Sequence, residues 1–182
     1  NLENHKANMR KVARAYVELE APTNGHFVAP AVYLLDNLNQ LQREVFGPIL
    51  HIVRYKKENL VNVLNEVNAK GYALTGGCHS RIRKQMDLVE KHLHCGNFYI
   101  NRNIVGAVVG VQPFGGHGLS GTGPKAGGEF YLQRLTKTDR YYSQFGDENS
   151  LGNAQPVLDS ITGERNSLAY LPSEVAILNG DL

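Results

Sequence analysis

Between Ile49 and Asn101 short apolar runs alternate with amphipathic stretches, and this order constrains the fold more than any other feature of the sequence. The runs ILHIVRY, YALTGGCHS and GNFYIN predict three strands. The stretches between them carry apolar residues at helical spacing: Leu60, Val63, Leu64 and Val67 in the first, and Ile82, Met86, Val89 and Leu93 in the second. Gly71 is placed to cap the C-terminal end of the first helix. A β-α-β-α-β order predicts right-handed crossovers, a parallel sheet covered on both faces, and ligands near the C-terminal ends of the strands.

Two elements are predicted ahead of this series. Apolar residues at steps of three and four from Leu2 to Leu19 predict one amphipathic helix that ends before Pro22. The run HFVAPAVYLL predicts a strand, and Pro30 favours placing that strand at a sheet edge or a bulge.

A glycine-rich stretch follows the predicted sheet. Nine glycines lie between Gly106 and Gly128, with little helical periodicity, and this predicts a long ordered loop. So many glycines are costly in conformational entropy unless the backbone adopts positive φ or approaches a ligand or a neighbouring element closely. After Thr136, RYYSQF predicts a short strand, and a polar linker and an extended tail are expected beyond it.

Composition excludes several classes. The chain has 182 residues, enough for one ordinary domain, and its 19 basic and 17 acidic residues leave a net charge of +2 with no like-charge run, so no nucleic-acid partner is predicted. No stretch approaches the roughly 20 apolar residues of a membrane span. Cys78 and Cys95 lack zinc-site spacing, so no metal site is expected. With only these two cysteines, a reducing, cytoplasmic setting is expected. The start, without Met and inside a predicted helix, suggests a piece of a longer protein.

Two motifs are candidates for functional chemistry. In QREVFGPIL, a carboxylate and an aromatic flank a turn ahead of a strand, where Glu44 could accept hydrogen bonds from sugar hydroxyls; residue chemistry alone favours a solvated Glu44 and a core Phe46. The stretch from Gly116 to Gly121 satisfies G-x-G-x-x-G, with Asp139 downstream. We interpret it as a decoy, because Pro124 and further glycines oppose the helix that it must open.

The cysteines and histidines give no nucleophile. A reactive thiol needs a lowered pKa and access to substrate, whereas Cys78 lies inside a predicted strand and Cys95 at a helix-to-strand junction. Both are interpreted as buried structural residues. His51 and His79 are interpreted as satisfied polar groups in or beside strands.

Taken together, REVFGPILHIVRY, GYALTGGCHSRI, GNFYINRNIVGAVVGVQPFGGHGLSGTGPKAGG and YLQRL resemble the aldehyde dehydrogenase superfamily. They are most similar to the pyrroline-5-carboxylate dehydrogenase modules of proline utilization A proteins. E-x-F-G-P and P-F-G-G-x-x-x-S-G are superfamily signatures, and NRNIVGAVVGVQPFGG is typical of dehydrogenases that act on glutamate semialdehyde. His117 departs from the acidic residue common at its position, and TGERNSL near the end is a weaker match.

The resemblance implies roles for five residues. Glu44 would bind the nicotinamide ribose hydroxyls of NAD, and Phe46 would pack against the nicotinamide end. Gly106 and Ala107 would present backbone N–H groups to the carboxylate of the substrate, and Phe114 would form part of an aromatic wall around the aldehyde chain. Backbone donors suit a carboxylate because they need no side-chain ordering.

The resemblance also implies that the catalytic cysteine, the water-activating acid and most of the NAD-binding Rossmann domain precede residue 1. In that family the cysteine forms a thiohemiacetal, hydride passes to NAD, and hydrolysis releases glutamate. We therefore expect an α/β partial catalytic domain over residues 1–138, with a parallel sheet and a glycine-rich active-site loop. Residues 139–182 would form an oligomerisation strand, a linker and a C-terminal extension. The chain by itself is predicted to be inactive.

The expected cofactor is NAD, with FAD only if a proline dehydrogenase domain is fused upstream. The expected partners are glutamate semialdehyde and further copies of the same protein. Two alternatives stay open: a non-catalytic assembly module that uses the same fold, and, ranked last, a free-standing nucleotide-binding domain based on the G-x-G-x-x-G match.

Overall fold

The computed structural model describes residues 1–121, 123–128, 130–135, 157–158 and 162–168. These residues fall into two compact units. The first holds Asn1–Ile104 and the described residues from Gly116 to Gly121, and the second holds Val105–Gly115 and the described residues from Gly123 onward. In the described part of the chain, no helix is long and apolar enough to cross a bilayer.

The first unit is organised around a three-stranded sheet in the order β1-β2-β3. Strand β1 (Ala15–Glu18) runs antiparallel to β2 (Ala31–Leu35), and β2 runs parallel to β3 (Ile49–Val53). Residues alternate between the two faces of each strand. On β2 this places Ala31, Tyr33 and Leu35 on one face, and all three are buried.

Helix α1 (Leu2–Val12) covers that face of the sheet. The side chain of Asn1 caps its start by accepting a hydrogen bond from the amide of Asn4 at 2.8 Å. Met9 packs with the three buried β2 residues to form the core, with Ala13, Leu41, Ile49 and Val53 around it. On the opposite face of the sheet, Val17, Leu50 and Ile52 are exposed.

The rest of the first unit contains two helices and two small sheets. Helix α2 (Leu60–Asn68) and helix α3 (Arg83–His92) contact each other. Strand β4 (Tyr72–Ala73) pairs antiparallel with β7 (His117–Gly118), and β5 (Thr75–Cys78) pairs parallel with β6 (Asn97–Ile100). Short 3-10 turns lie at Leu38–Gln40 and Lys57–Asn59.

In the second unit, β8 (Val157–Leu158) pairs antiparallel with β9 (Asn166–Ser167), and a 3-10 turn spans Leu132–Leu135. The predicted strand RYYSQF lies outside the described residues, as does most of the predicted extension over residues 139–182.

The prediction of one helix up to Pro22 is wrong beyond Val12. Ala13 adopts an extended conformation, with φ −70° and ψ 139°, and the amide of Arg14 donates to Leu34 O at 2.8 Å. Tyr16 therefore lies on β1, opposite Tyr33. Helical spacing continued through this stretch, but pairing with β2 decides its structure.

Two predictions about the sheet are also wrong. The strand after Pro30 is the central strand of its sheet, not an edge, because Pro30 precedes the first paired residue and its missing N–H costs no ladder bond. The three strands of the β-α-β-α-β series do not form one parallel sheet in the described residues. β3 pairs with β2, and β5 pairs with β6 in a separate sheet.

Other predictions are confirmed. Strands β3 and β6 and helices α2 and α3 lie where the apolar pattern places them. Gly71 follows α2 with φ +79°, and its amide donates to Asn68 O at 2.9 Å. This left-handed conformation favours glycine at the C-terminal end of a helix.

Candidate functional site

The segment with Glu44 and Phe46 is an irregular stretch that leads into β3. Glu44 is exposed, as predicted, whereas Phe46 is 80% exposed and not a core residue. The two side chains help to line a shallow cavity of about 180 Å³, together with Asn1, Leu2, Arg43 and Val45. A carboxylate and an aromatic ring therefore stand together at the surface beside the start of α1.

Gly47 fixes the path of this segment. A Cβ atom at Gly47 would lie 2.5 Å from Cδ2 of Leu2, so the Leu2 side chain would have to shift to admit any other residue. The amide of Ile49 donates to Gly47 O at 2.8 Å, and the amide of Ala31 donates to Pro48 O at 3.0 Å. These bonds join the turn directly to the central strand.

A polar cluster around Glu18 joins α1 to the sheet. Arg10 donates two hydrogen bonds to the carboxylate of Glu18, at 2.8 and 2.7 Å, and the hydroxyl of Tyr33 donates to it at 2.5 Å. The ammonium group of Lys6 lies 3.3 Å from the same carboxylate, and its side chain is only 5% exposed. The hydrogen bond from Arg10, followed by that from Tyr33, lowers the pKa of Glu18 to about 2. Desolvation, followed by the bond to Glu18, raises the pKa of Tyr33.

In the second unit, the glycine-rich segment is shaped by a turn from Val108 to Gln112. The amides of Val111 and Gln112 donate to Val108 O, at 3.1 and 3.0 Å, and Gly110 has φ +82°. The buried side chain of Gln112 accepts from the amide of Val108 at 3.0 Å and donates to Asn166 Oδ1 at 2.7 Å. Gln112 therefore ties the turn to β9.

Gly106 and Ala107 lie just ahead of this turn and are half-buried. Within the described part of the chain, neither backbone amide donates a hydrogen bond. A Cβ atom at Gly106 would meet no described atom within 4 Å, and its φ is not in the left-handed region. The local fold therefore does not require glycine at position 106.

Phe114 lies on the far side of the turn and is half-buried. Its backbone pairs with that of Ala126 through two hydrogen bonds, both 2.9 Å long. A Cβ atom at Gly115 would lie 3.1 Å from Cα of Lys125, so glycine allows these two backbones to approach each other.

The G-x-G-x-x-G stretch belongs to the first unit and has a structural role. A Cβ atom at Gly116 would lie 2.6 Å from Ala73 O, and one at Gly118 would lie 2.6 Å from Gly71 O. In the described residues from His117 to Lys125 the chain forms β7 and turns rather than a helix. The interpretation of this motif as a decoy is confirmed, because its glycines serve close backbone packing.

The cysteines and histidines occupy the predicted positions in or beside strands, but the burial of the two cysteines and of His79 differs from the prediction. Cys78 lies on β5 and Cys95 just ahead of β6, and both are free thiols that are half-buried rather than fully buried. His51 lies on β3 with a polar partner, as predicted, but His79 is exposed beside β5.

Sequence patterns did not reveal the residues that hold the candidate segments in place. Leu2, Glu18 and Gln112 act through partners 45, 15 and 54 residues away, respectively. One signal was available for Gln112: an amide side chain inside an apolar, glycine-rich run needs a partner if it is buried.

A model of the aldehyde dehydrogenase family matches residues 3–140. The chain belongs to the aldehyde dehydrogenase family. Over 141 residues, 76% of this chain, it is 50% identical to the bifunctional protein PutA of Rhizobium meliloti. Over 142 residues, 70% of this chain, it is 34% identical to the 1-pyrroline-5-carboxylate dehydrogenase of Bacillus subtilis.

A solved structure supports the same family. The chain superposes on the crystal structure of a mutant of Bradyrhizobium japonicum proline utilization A with a TM-score of 0.70 and 54% sequence identity, covering 74% of this chain. It spans 14% of that structure's chain, 12% of the Rhizobium protein and 27% of the Bacillus enzyme. This portion of the aldehyde dehydrogenase fold therefore contains mixed sheets and helices and is a small part of each relative.

Within this family match, the candidate residues form two groups. Glu44 and Phe46 belong to the first unit, where they line one cavity. Gly106, Ala107 and Phe114 belong to the second unit, on either side of the turn that Gln112 holds.

Proposed function

We propose that this chain contributes the substrate-carboxylate subsite and part of the NAD subsite to an NAD-dependent dehydrogenase that oxidises glutamate semialdehyde to glutamate in proline breakdown. In this proposal the cysteine nucleophile, the water-activating acid and most of the Rossmann domain come from polypeptide that this sequence does not include. FAD would be needed only if a proline dehydrogenase domain is fused to the same protein.

The backbone of Gly106 and Ala107 carries this proposal. Its two N–H groups donate no hydrogen bond within the described residues, so both are available to a ligand. Gly106 also has no packing requirement for glycine. A ligand carboxylate explains both features, because two adjacent donors match its two oxygens and a side chain would block its approach.

Phe114 supports the same assignment. Its backbone is held by the paired hydrogen bonds to Ala126, and the residue is half-buried. An aromatic ring at this position suits an apolar wall around the short aldehyde chain, with the backbone donors fixing the orientation of the substrate.

Glu44 and Phe46 fit the NAD role by their chemistry. The exposed carboxylate of Glu44 can accept hydrogen bonds from both hydroxyls of a ribose, and the exposed ring of Phe46 offers an apolar surface for the nicotinamide end. When bound, NAD would supply the hydride acceptor. The residues of this chain would orient it.

We further propose that residues 139–182 serve contacts between copies of the protein, and that the glycine-rich segment is the active-site loop. A reducing, cytoplasmic location agrees with the two free thiols, Cys78 and Cys95.

A chimeric enzyme tests the proposed function. Residues 3–140 would replace the matching segment of the Rhizobium meliloti protein, and reduction of NAD would be followed with glutamate semialdehyde as substrate. We expect turnover by the chimera. The 182-residue chain alone should produce no NADH, because a covalent route needs the nucleophile and the oxyanion donors in one site.

A bulky residue at Gly106 makes the test specific. In the chimera, Gly106→Leu should raise KM for glutamate semialdehyde at least about tenfold, equivalent to about 1.4 kcal/mol, and should affect an aliphatic aldehyde without a carboxylate much less. Val109→Leu, at a position that is 97% exposed in the same loop, is the matched control. An unchanged KM in the Gly106→Leu chimera would reject the carboxylate subsite.

The alternative is a non-catalytic assembly module built on the same fold. An assembly role gives no reason for two neighbouring backbone donors that bond to no described residue. A correctly folded but inactive chimera would favour this alternative.

A further inference from the structure

Two histidines from distant parts of the chain meet where α1 packs on the sheet. His5 lies on α1 and His51 on β3, and their Nε2 atoms are 3.0 Å apart. The two rings meet edge to face, with centroids 5.2 Å apart and an interplanar angle of 74°. His51 also stacks on the buried ring of Tyr33, at 6.2 Å and 22°. The pair therefore joins the helix to β3 through a defined N–H···N contact.

The same two elements hold the segment with Glu44. The first turn of α1 packs Leu2 against Gly47, and Asn1 and Leu2 line the cavity that contains Glu44 and Phe46. Strand β3 begins at Ile49, three residues after Phe46. The segment thus runs between the start of α1 and the start of β3, and His5 lies one helical turn from Leu2.

We propose that His5 and His51 form a pH-sensitive latch that positions the Glu44–Phe46 segment by holding the first turn of α1 against β3 at neutral pH. The latch follows from the packing of α1 on the sheet, whereas its relevance to NAD rests on the proposed function. His5 and His51 are positioning residues, since neither lies among the residues that line the cavity.

The chemistry of the pair gives the switch its direction. In the neutral pair, one Nε2–H donates to the lone pair of the other ring, and a first proton leaves this donor in place. A second proton leaves two N–H groups and two positive charges facing each other at 3.0 Å. Protonation of both rings therefore breaks the contact.

The surroundings of the pair disfavour its charged form. Desolvation, followed by the charge of Arg43, lowers the pKa of His5, and desolvation, followed by His5, lowers that of His51. On the sheet side, Tyr33 faces His51, and the charged groups behind Tyr33 are already bound to one another: Glu18, Lys6 and Arg10. Because both folded-state pKa values lie below 6.5, the ordinary value for histidine, the latch is stable above pH 6.5 and is lost as pH falls below it.

A tryptophan reporter can test this directly. The chain has no Trp and Phe46 is 80% exposed, so Phe46→Trp introduces one fluorophore into the segment without removing a buried side chain. Steady-state anisotropy would be recorded from about pH 8 to about pH 5, alongside far-UV circular dichroism. We expect anisotropy to fall with a midpoint below pH 6.5 while the dichroism stays constant.

Histidine variants test whether the anisotropy transition arises from His5 and His51. In the Phe46→Trp background, His5→Gln and His51→Gln should each abolish the pH transition, because the contact breaks only when two positively charged rings face each other and each variant retains one ring. His26→Gln removes an exposed histidine of the same unit and should preserve it. A transition that persists in both latch variants, or that disappears equally in the His26→Gln control, would overturn the proposal.

The unsubstituted chain provides a second readout should a variant fail to fold. Long-range ¹H–¹⁵N spectra of its seven histidines should show two rings that titrate together below pH 6.5. Chemical-shift changes of the Arg43–Gly47 amides should follow the same curve. Amides that stay unchanged while these two rings titrate would also overturn it. Neither readout contains NAD, so a failure of NAD to bind would count against the proposed function and leave the latch intact.

Discussion

The sheet under α1 and the segment from Val105 to Gly115 keep their shapes in different ways. Beneath α1, the buried ammonium group of Lys6 and the more exposed guanidinium group of Arg10 both bind the carboxylate of Glu18. In the glycine-rich segment, the interactions include the backbone bonds of one turn, the paired backbone bonds between Phe114 and Ala126, and the hydrogen bonds of the Gln112 side chain. The difference implies that a substitution in the first region lowers the free energy of unfolding of the whole unit. A substitution in the second region should instead allow local unfolding of that segment while the rest of the chain stays folded.

The largest expected effect comes from Glu18→Ala. The change removes the partner of Arg10 and leaves the ammonium group of Lys6 buried without its carboxylate. Breaking a buried ion pair in this way should lower the free energy of unfolding by about 3 kcal/mol, measured by urea denaturation. Glu20→Ala, at an exposed position two residues on, should change it by no more than about 0.5 kcal/mol.

The pH dependence tests the same cluster. Because the pKa of Glu18 is lowered from 4.5 to about 2, its contribution to stability is present above pH 4.5 and is lost as pH falls from 4.5 towards 2. The stability gap between the wild-type chain and Glu18→Gln should narrow over that range. A constant gap would show that ionisation of Glu18 does not stabilise the unit.

An intermediate and local effect is expected for Gln112→Ala. The change removes the acceptor of the Val108 amide and the donor to Asn166 Oδ1. A loss of about 2 kcal/mol in local stability corresponds to roughly thirtyfold faster amide exchange in the turn. Hydrogen exchange of the Val108 and Gln112 amides measures this loss of local stability. Gln42→Ala, at an exposed position, is the control. Equal acceleration of exchange in α1 would contradict the distinction between the two regions.

The smallest effect is expected for Gly106→Ala. Its Cβ atom would meet no described atom within 4 Å, so the chain should be unchanged or stabilised by about 0.5 kcal/mol through lower unfolded-state entropy. Gly115→Ala should be destabilising, because its Cβ atom would lie 3.1 Å from Cα of Lys125. Thermal unfolding of the two variants gives the comparison. A large loss of stability in Gly106→Ala would mean that the fold, not a ligand, requires this glycine.

The local sequence pattern was sufficient to predict the elements whose structure depends on their own residues. Helices α2 and α3 follow from apolar spacing, and Gly71 follows from the left-handed cap that it forms. The decoy at Gly116 was also recognisable, because Pro124 and the nearby glycines oppose the helix that a dinucleotide fold requires. The motifs E-x-F-G-P and P-F-G-G indicated the family, which the match over residues 3–140 confirms.

Only the tertiary structure decided features that depend on distant partners. Residues 15–18 follow a helical spacing but form β1, because the backbone of β2 satisfies their hydrogen-bonding groups. Phe46 is apolar yet exposed, and His5 meets His51 across 46 residues of sequence. No short-range pattern encodes such contacts, since they arise when separate elements pack. The sequence by itself therefore determined the family and the local elements, and tertiary packing decided which residues hold the candidate subsites in place.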